Sequence, residues 1–246
     1  MTSINVSNDW YRKMRWYEDH TVIKIMSLKE YLEHAENANT QESERLAKEF
    51  KVKFAKATTP EEKEFLHEYY ENDIDNFNDI FPQLLRKSHF VATYSFLEQE
   101  LKVLCEMTHH LSKKKAKNAF TEWVYQMLLR LGISTQITPN PKFRGDYIGS
   151  ARKYLSKYRG IFFPKNSANW NNIRSYQKIR NCIVHESGLL SNQVQHKLSS
   201  FLLGNGNITI NGLGYVILDE EFCLEFAKVV ERFFIEDLYP NMPEEF

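Results

Sequence analysis

The sequence predicts an all-α chain with one small β-hairpin near its C-terminus. Three observations lead there. Apolar residues recur at three- and four-residue steps along much of the chain, helix-capping signals stand at several points, and an Asn-Gly pair sits between two β-rich runs. With 246 residues, 42% of them hydrophobic, the chain can build one large domain or one domain plus a helical extension. Residues 1–80 read as an N-terminal helical extension, 82–238 as the helical domain and 239–246 as a tail.

In chain order, Ser27-Leu28-Lys29-Glu30 fits a capping box, and Thr59-Pro60-Glu61-Glu62 fits one better, with Pro60 placed where its missing N–H does no harm. Between them lies a charged helical stretch to about Ala57 with a thin apolar face. Pro82 is expected to open the next helix. Phe90, Tyr94, Leu97, Leu101 and Leu104 then form one apolar stripe, and the helix is expected to reach about Leu111. Lys113-Lys114-Lys115-Ala116-Lys117 follows, readable as a cation-favoured helix end leading to a solvated loop or as a phosphate contact. Another helix is expected over about Asn118–Leu131, before Gly132. Residues 133–166 are richer in Pro and Gly, with a short helix near Tyr147–Tyr158.

A strong helix is expected over about Ala168–Glu186, ending before Gly188. Ser191 is placed to cap a further helix to about Leu203. Ile208–Leu218 holds the hairpin signal around Asn211-Gly212, and Asp219 is placed to cap a last amphipathic helix to about Leu238.

Lys+Arg and Asp+Glu balance at 32 each, so no global basic surplus marks a polyanion binder and any such site is local. One local candidate mixes cations with rings: Arg144, Arg152, Lys153 and Lys157 among Tyr147, Tyr154 and Tyr158. Cations there neutralise phosphates and rings stack on bases, although an ordinary exposed helix has the same composition. Cys105, Cys182 and Cys223 are odd in number and widely spaced, which reads as buried thiols rather than a disulfide framework. Cys105 and His109 share a helix face, but two ligands do not make a metal site. No cofactor or metal is expected. No apolar run is long enough to span a bilayer, and the polar N-terminus lacks a signal-peptide core, so no membrane partner and a cytoplasmic location are expected.

The segment Arg180-Asn181-Cys182-Ile183-Val184-His185 is the most informative. At about 100° per residue, Ile173, Tyr176, Ile179, Ile183 and Val184 fall on a broad apolar arc. Asn181 and His185 share a stripe beside it, and Arg180 points into the arc. An unpaired buried guanidinium costs several kcal/mol, on the order of a domain's whole margin, so Arg180 must find an acid or line a polar cleft. Glu98, flanking the apolar stripe of its own helix, could pair with Arg180, orient His185, or be a rim carboxylate. Histidine moves protons near neutral pH, arginine binds phosphate and stays charged, and asparagine positions a hydroxyl or an imidazole. Those types suit phosphodiester cleavage in RNA, whose 2′-hydroxyl supplies the nucleophile. The chain has no Walker loop, HExxH or nucleophile elbow.

Arg-Asn-x-x-x-His at a helix end, followed by Gly188, resembles the signature of HEPN domains. The stripe-bearing helix from Pro82, with Ser88-His89-Phe90 leading into Tyr94-Ser95-Phe96-Leu97-Glu98, resembles a first HEPN helix. The hairpin and closing helix resemble the tail of several HEPN families. The resemblance covers about residues 82–238. It implies a HEPN-like four-helix up-and-down bundle, a homodimer in which two motif helices meet, and metal-independent endoribonuclease activity in toxin–antitoxin or anti-phage roles, with an antitoxin or regulatory protein as a possible partner. In that reading Arg180 stabilises the phosphate, His185 is acid or base, and Asn181 supports them. One toxin branch carries a modified Tyr two residues past the His; Ser187 stands there in this chain, which argues against that regulation. The alternative is a non-catalytic dimeric HEPN module that binds nucleic acid, nucleotide or a protein partner.

Overall fold

Helix signals at the N-terminus resolve into one long element. In the computed structural model, which describes residues 4–115, 143, 145–162 and 166–242, α1 runs from Ile4 to Lys56 without a break. Ser27 is therefore not an N-cap. The preceding turn already supplies carbonyl acceptors, so no orphan N–H groups exist there for a cap to satisfy. The second capping box forms as expected: the Glu62 N–H donates to Thr59 Oγ1 (3.2 Å) and the Thr59 N–H to Glu62 Oε2 (3.3 Å), opening α2 (Pro60–Asp75).

Pro82 does not open a helix either. A π-helical turn, Asn76–Ile80, joins α2 directly to α3 (Phe81–Lys115), and the Phe81 N–H reaches back five residues to the Asn76 carbonyl. The wider turn falls immediately before the proline, where the helix must absorb a residue that has no N–H and a ring that crowds the preceding turn. α3 then passes the expected end at Leu111. The expected helix at 118–131 lies outside the described residues.

After these come α4 (Tyr147–Arg159), α5 (Ala168–His185), α6 (Asn192–Gly204), strands β1 (Ile208–Ile210) and β2 (Val216–Leu218), and α7 (Glu220–Arg232). The helical path continues past α7 through a π-helical segment, Phe233–Leu238, and a 3-10 turn, Tyr239–Asn241. Asp146 caps α4 by accepting from the Gly149 N–H (3.1 Å), and Gly160 ends it in the left-handed conformation. Ser191 stands at the N-cap of α6, but its side chain makes no capping bond.

The hairpin is antiparallel, pairing Ile208 with Leu218 and Ile210 with Val216. Asn-Gly does not form a two-residue turn. The loop has five residues, Asn211 Oδ1 accepts from the Leu213 and Tyr215 N–H groups, and the positive φ falls at Gly214 (88°).

The chain divides into two compact units, one of residues 1–23, 95–171 and 230–246, the other of 24–94 and 172–229. In the first, Leu97, Leu101, Leu104, Ile148, Leu155 and Phe234 are fully buried, and the Tyr17 hydroxyl donates to the Glu100 carbonyl (2.7 Å). In the second, an aromatic cluster centres on Tyr176, whose ring lies 4.5 Å from Phe226, 5.0 Å from Phe201 and 5.3 Å from Phe222, centroid to centroid. Cys105, Cys182 and Cys223 are all buried and free.

His89 belongs to the second unit. It is buried, and its Nε2 donates to the Leu28 carbonyl (2.8 Å). Burial depresses its pKa below the ordinary imidazole value, while the Leu28 bond acts against the shift. The unfolded chain therefore takes up this proton first as pH falls. His89 leaves stability intact above about pH 6.5 and lowers it as pH drops toward the folded value. The unfolding temperature is expected to fall as pH drops below about 6.5, and His89→Gln, which keeps a donor for Leu28, is expected to flatten that fall in thermal melts.

Candidate active site

α5 carries the candidate site, and both of its ends are fixed locally. Ser167 Oγ accepts from the Trp170 N–H (3.1 Å) and satisfies a donor of the first turn. At the other end the Glu186 and Gly188 N–H groups both reach back to the Cys182 carbonyl (3.0 Å each). Ser187 (φ 53°) and Gly188 (φ 87°) both adopt positive φ there. The Gly188 N–H reaches back six positions, one more than in a Schellman turn, so two successive residues of positive φ close the helix at His185. The exit turn is tied to the hairpin: the Val216 N–H donates to the Gly188 carbonyl and the Leu190 N–H to the Gly214 carbonyl, each at 2.9 Å.

The expected apolar arc is buried in its first part and open at its end. Ile173, Tyr176, Ile179 and Cys182 are buried, whereas Ile183 is half-buried and Val184 is 45% exposed. Arg180 is half-buried. Its guanidinium carbon lies 5.5 Å from the centroid of the Tyr94 ring on α3, and its Nη1 donates to Asn181 Oδ1 (3.1 Å). Tyr94 itself is fully buried and stacks on Phe226 at 6.1 Å. An aromatic face on one side and an amide oxygen at the tip hold a planar guanidinium in place while it keeps its charge.

Asn181 and His185 are both exposed and share one face of α5. Arg180 and Asn181 are thus bonded to each other, and His185 stands one helical turn beyond Asn181 with its ring open to solvent. Cys182 is a poor nucleophile in this setting. Burial pushes its thiol up to about 11, Glu186 adds to the shift and Lys87 opposes it.

The other expected residues are placed as follows. Glu98 is half-buried on α3, in the first unit, whereas Arg180 belongs to the second. Lys153 and Lys157 are exposed on α4, the Lys157 ammonium lying 5.0 Å from the Tyr158 ring centroid. Arg152 is half-buried with its guanidinium 5.3 Å from the Trp170 ring, so it takes part in packing as well as carrying charge. Arg144 lies outside the described residues.

His109, which shares a helix face with Cys105, is engaged by other groups. Its Nδ1 lies 3.1 Å from both the Tyr154 hydroxyl and Nη2 of the buried Arg159, and Arg159 Nη2 also donates to that hydroxyl (2.7 Å). Among the described residues no group of His, Cys, Asp and Glu is placed to hold a metal ion, and no helix is long and apolar enough to cross a membrane.

Two features of the site escaped sequence reasoning. Tyr94 lies in the α3 stripe and reads there as core alone; Arg180 was expected to find an acid or a polar cleft, and nothing in the sequence pointed to an aromatic ring beside it. The tie between the α5 exit turn and the hairpin has no local signal, since it joins backbone groups about 25 residues apart. No family model, curated protein or solved structure matches the chain.

Proposed function

We propose that the C-terminal half of α5 carries a metal-independent endoribonuclease centre of the HEPN type, built from Arg180, Asn181 and His185 and completed when a second copy brings the same helix to the site. The supporting observation is the arrangement at this one helix end. A guanidinium is held by Tyr94 and Asn181, and an imidazole on the neighbouring face is open to solvent. A sealed His185 would have removed the basis for this reading.

In the reaction, an imidazole nitrogen of His185 takes the proton of the ribose 2′-hydroxyl. The 2′-oxygen attacks the adjacent phosphorus, and the bond to the 5′-oxygen breaks. That oxygen takes a proton from the second copy's His185 or from water. The products are a 2′,3′-cyclic phosphate and a 5′-hydroxyl end, with no change of oxidation state. Arg180 faces the phosphoryl oxygens as negative charge builds on them, and Asn181 fixes the direction of Arg180. Defence against phage or pairing with an antitoxin is the setting proposed for such an activity, in the cytoplasm. The exposed Val184 beside the motif gives a second copy an apolar contact.

The test is cleavage of a mixed RNA pool in excess EDTA by the wild type and by the His185→Ala and Arg180→Ala variants, each checked for folding and oligomeric state. EDTA-resistant cleavage that both variants lose supports the reading. An inert wild type, or variants as active as the wild type, overturns it in favour of a non-catalytic module.

A further inference from the structure

Charge is distributed unevenly along this neutral chain. Between Tyr147 and Leu218 there are nine Lys and Arg residues and one acid, Glu186, although the whole chain has 32 of each sign. α5 itself contains no Asp or Glu. Its cations and polar groups are also ordered in space. Arg174, Lys178, Asn181 and His185 follow one another at steps of four, three and four residues, which places them within about 60° of arc on one face. The stripe is about 16 Å long at 1.5 Å per residue. Lys178, Asn181 and His185 are exposed and Arg174 is half-buried. Arg180 leaves the helix on another side but reaches the stripe through its bond to Asn181 Oδ1. The row therefore runs from two cations to the candidate catalytic groups, with no carboxylate of α5 to repel a polyanion.

We propose that this stripe is the binding track for the sugar-phosphate backbone of a single-stranded RNA, with Lys178 and Arg174 holding phosphates that lead away from the scissile linkage at His185. The inference rests on the ribonuclease reading for its direction and end point. The strand is unpaired because an A-form duplex holds the 2′-oxygen off the line of the bond to be broken. Sequence preference is weak along the track, since lysine and arginine contacts to phosphate carry no base information. The basic face of α4, the other candidate, contributes two exposed lysines but has its Arg152 packed on Trp170.

The experiment separates binding from cleavage. Anisotropy of a fluorescein-labelled 2′-O-methyl oligoribonucleotide, whose blocked 2′-oxygen cannot attack, is measured on the full chain over a salt series. The variants are Lys178→Ala, Arg174→Lys with Lys178→Ala, and Lys153→Ala with Lys157→Ala. Lys178 is exposed, so its substitution leaves the fold intact, as thermal melts would verify. Lys178→Ala is expected to weaken binding several-fold and to lower the slope of log affinity against log salt by about 0.7, the value for one phosphate contact on a single strand. The α4 pair is expected to change binding less. Unchanged affinity and slope in Lys178→Ala, or a larger loss in the α4 pair, would overturn the track. If the wild type binds the blocked strand through Lys178 but cuts no RNA in EDTA, the track stands and the catalytic reading falls. If the wild type cuts RNA while Lys178→Ala binds as before, the catalytic reading stands and the track falls.

Discussion

Glu36→Ala is expected to destabilise the protein by about 3–5 kcal/mol, the usual cost of leaving one member of a buried ion pair alone. Glu36 on α1 and Arg86 on α3 form a two-pronged pair, Nε to Oε1 at 2.6 Å and Nη2 to Oε2 at 3.0 Å, with side chains 8% and 19% exposed. Burial opposes the charge on Arg86, but the Glu36 carboxylate outweighs it, helped by Asp219 and Glu220, and the guanidinium is held above its ordinary pKa. The same guanidinium donates through Nη1 to the Leu218 carbonyl (3.2 Å). Gln83 completes the clamp on β2, donating to the Leu218 carbonyl (2.8 Å) and accepting from the Leu218 N–H (3.1 Å). Removing the carboxylate leaves a half-buried cation without its acid, at a point where α1, α3 and the hairpin meet within the second unit. Urea unfolding would read the loss. The double variant Glu36→Met with Arg86→Met is expected to lose less than Glu36→Ala, because no charge is left behind. A double variant at least as unstable as the single would show that packing, not charge pairing, dominates the site.

His185→Ala is expected to lower the RNA cleavage rate by about 10²–10⁴-fold, the range for loss of a general acid or base, with little effect on stability because the ring is exposed. Arg180→Ala is expected to lower the rate as strongly and also to cost some stability, since its guanidinium packs on Tyr94. Arg180→Lys separates the two roles. It keeps the positive charge but loses the planar fork that spans Tyr94 and Asn181, so it is expected to restore only a small part of the rate. Initial rates in EDTA at several RNA concentrations check this. A drop in kcat at constant KM fits a group acting in the transition state, and a rise in KM alone fits simple phosphate binding. An Arg180→Lys variant as fast as the wild type would remove the oriented fork from the mechanism.

Much of the secondary structure was legible because its causes are local. The Thr59 box, the α3 stripe, the short helix near Tyr147–Tyr158 and the extent of α5 depend on residues a few positions apart, and each lies where periodicity and capping place it. The errors are local signals that their surroundings overruled. Ser27 has the right neighbours for a cap but lies in a chain already helical. Pro82 has the right chemistry for a helix start, yet a π-helical turn before it lets the helix continue. Val184 has the right phase for the core but lies at the end of α5, where burial gives out.

For the candidate site the division is similar. The sequence by itself determined which residues can do chemistry, that Asn181 and His185 share a face, and that an arginine beside them needs a partner. Those follow from residue type and helical pitch alone. Only the tertiary structure decided that the partner includes the ring of Tyr94, that Arg180 bonds to Asn181, that His185 is open rather than sealed, and that Arg152 packs on an indole while Lys153 stays exposed. Apart from the Arg180–Asn181 bond, which joins neighbours on one helix, each of these depends on which helix faces which across a distance of up to about 85 residues in the chain. No propensity or period encodes that choice, because it is set by how the buried faces of separate elements fit together.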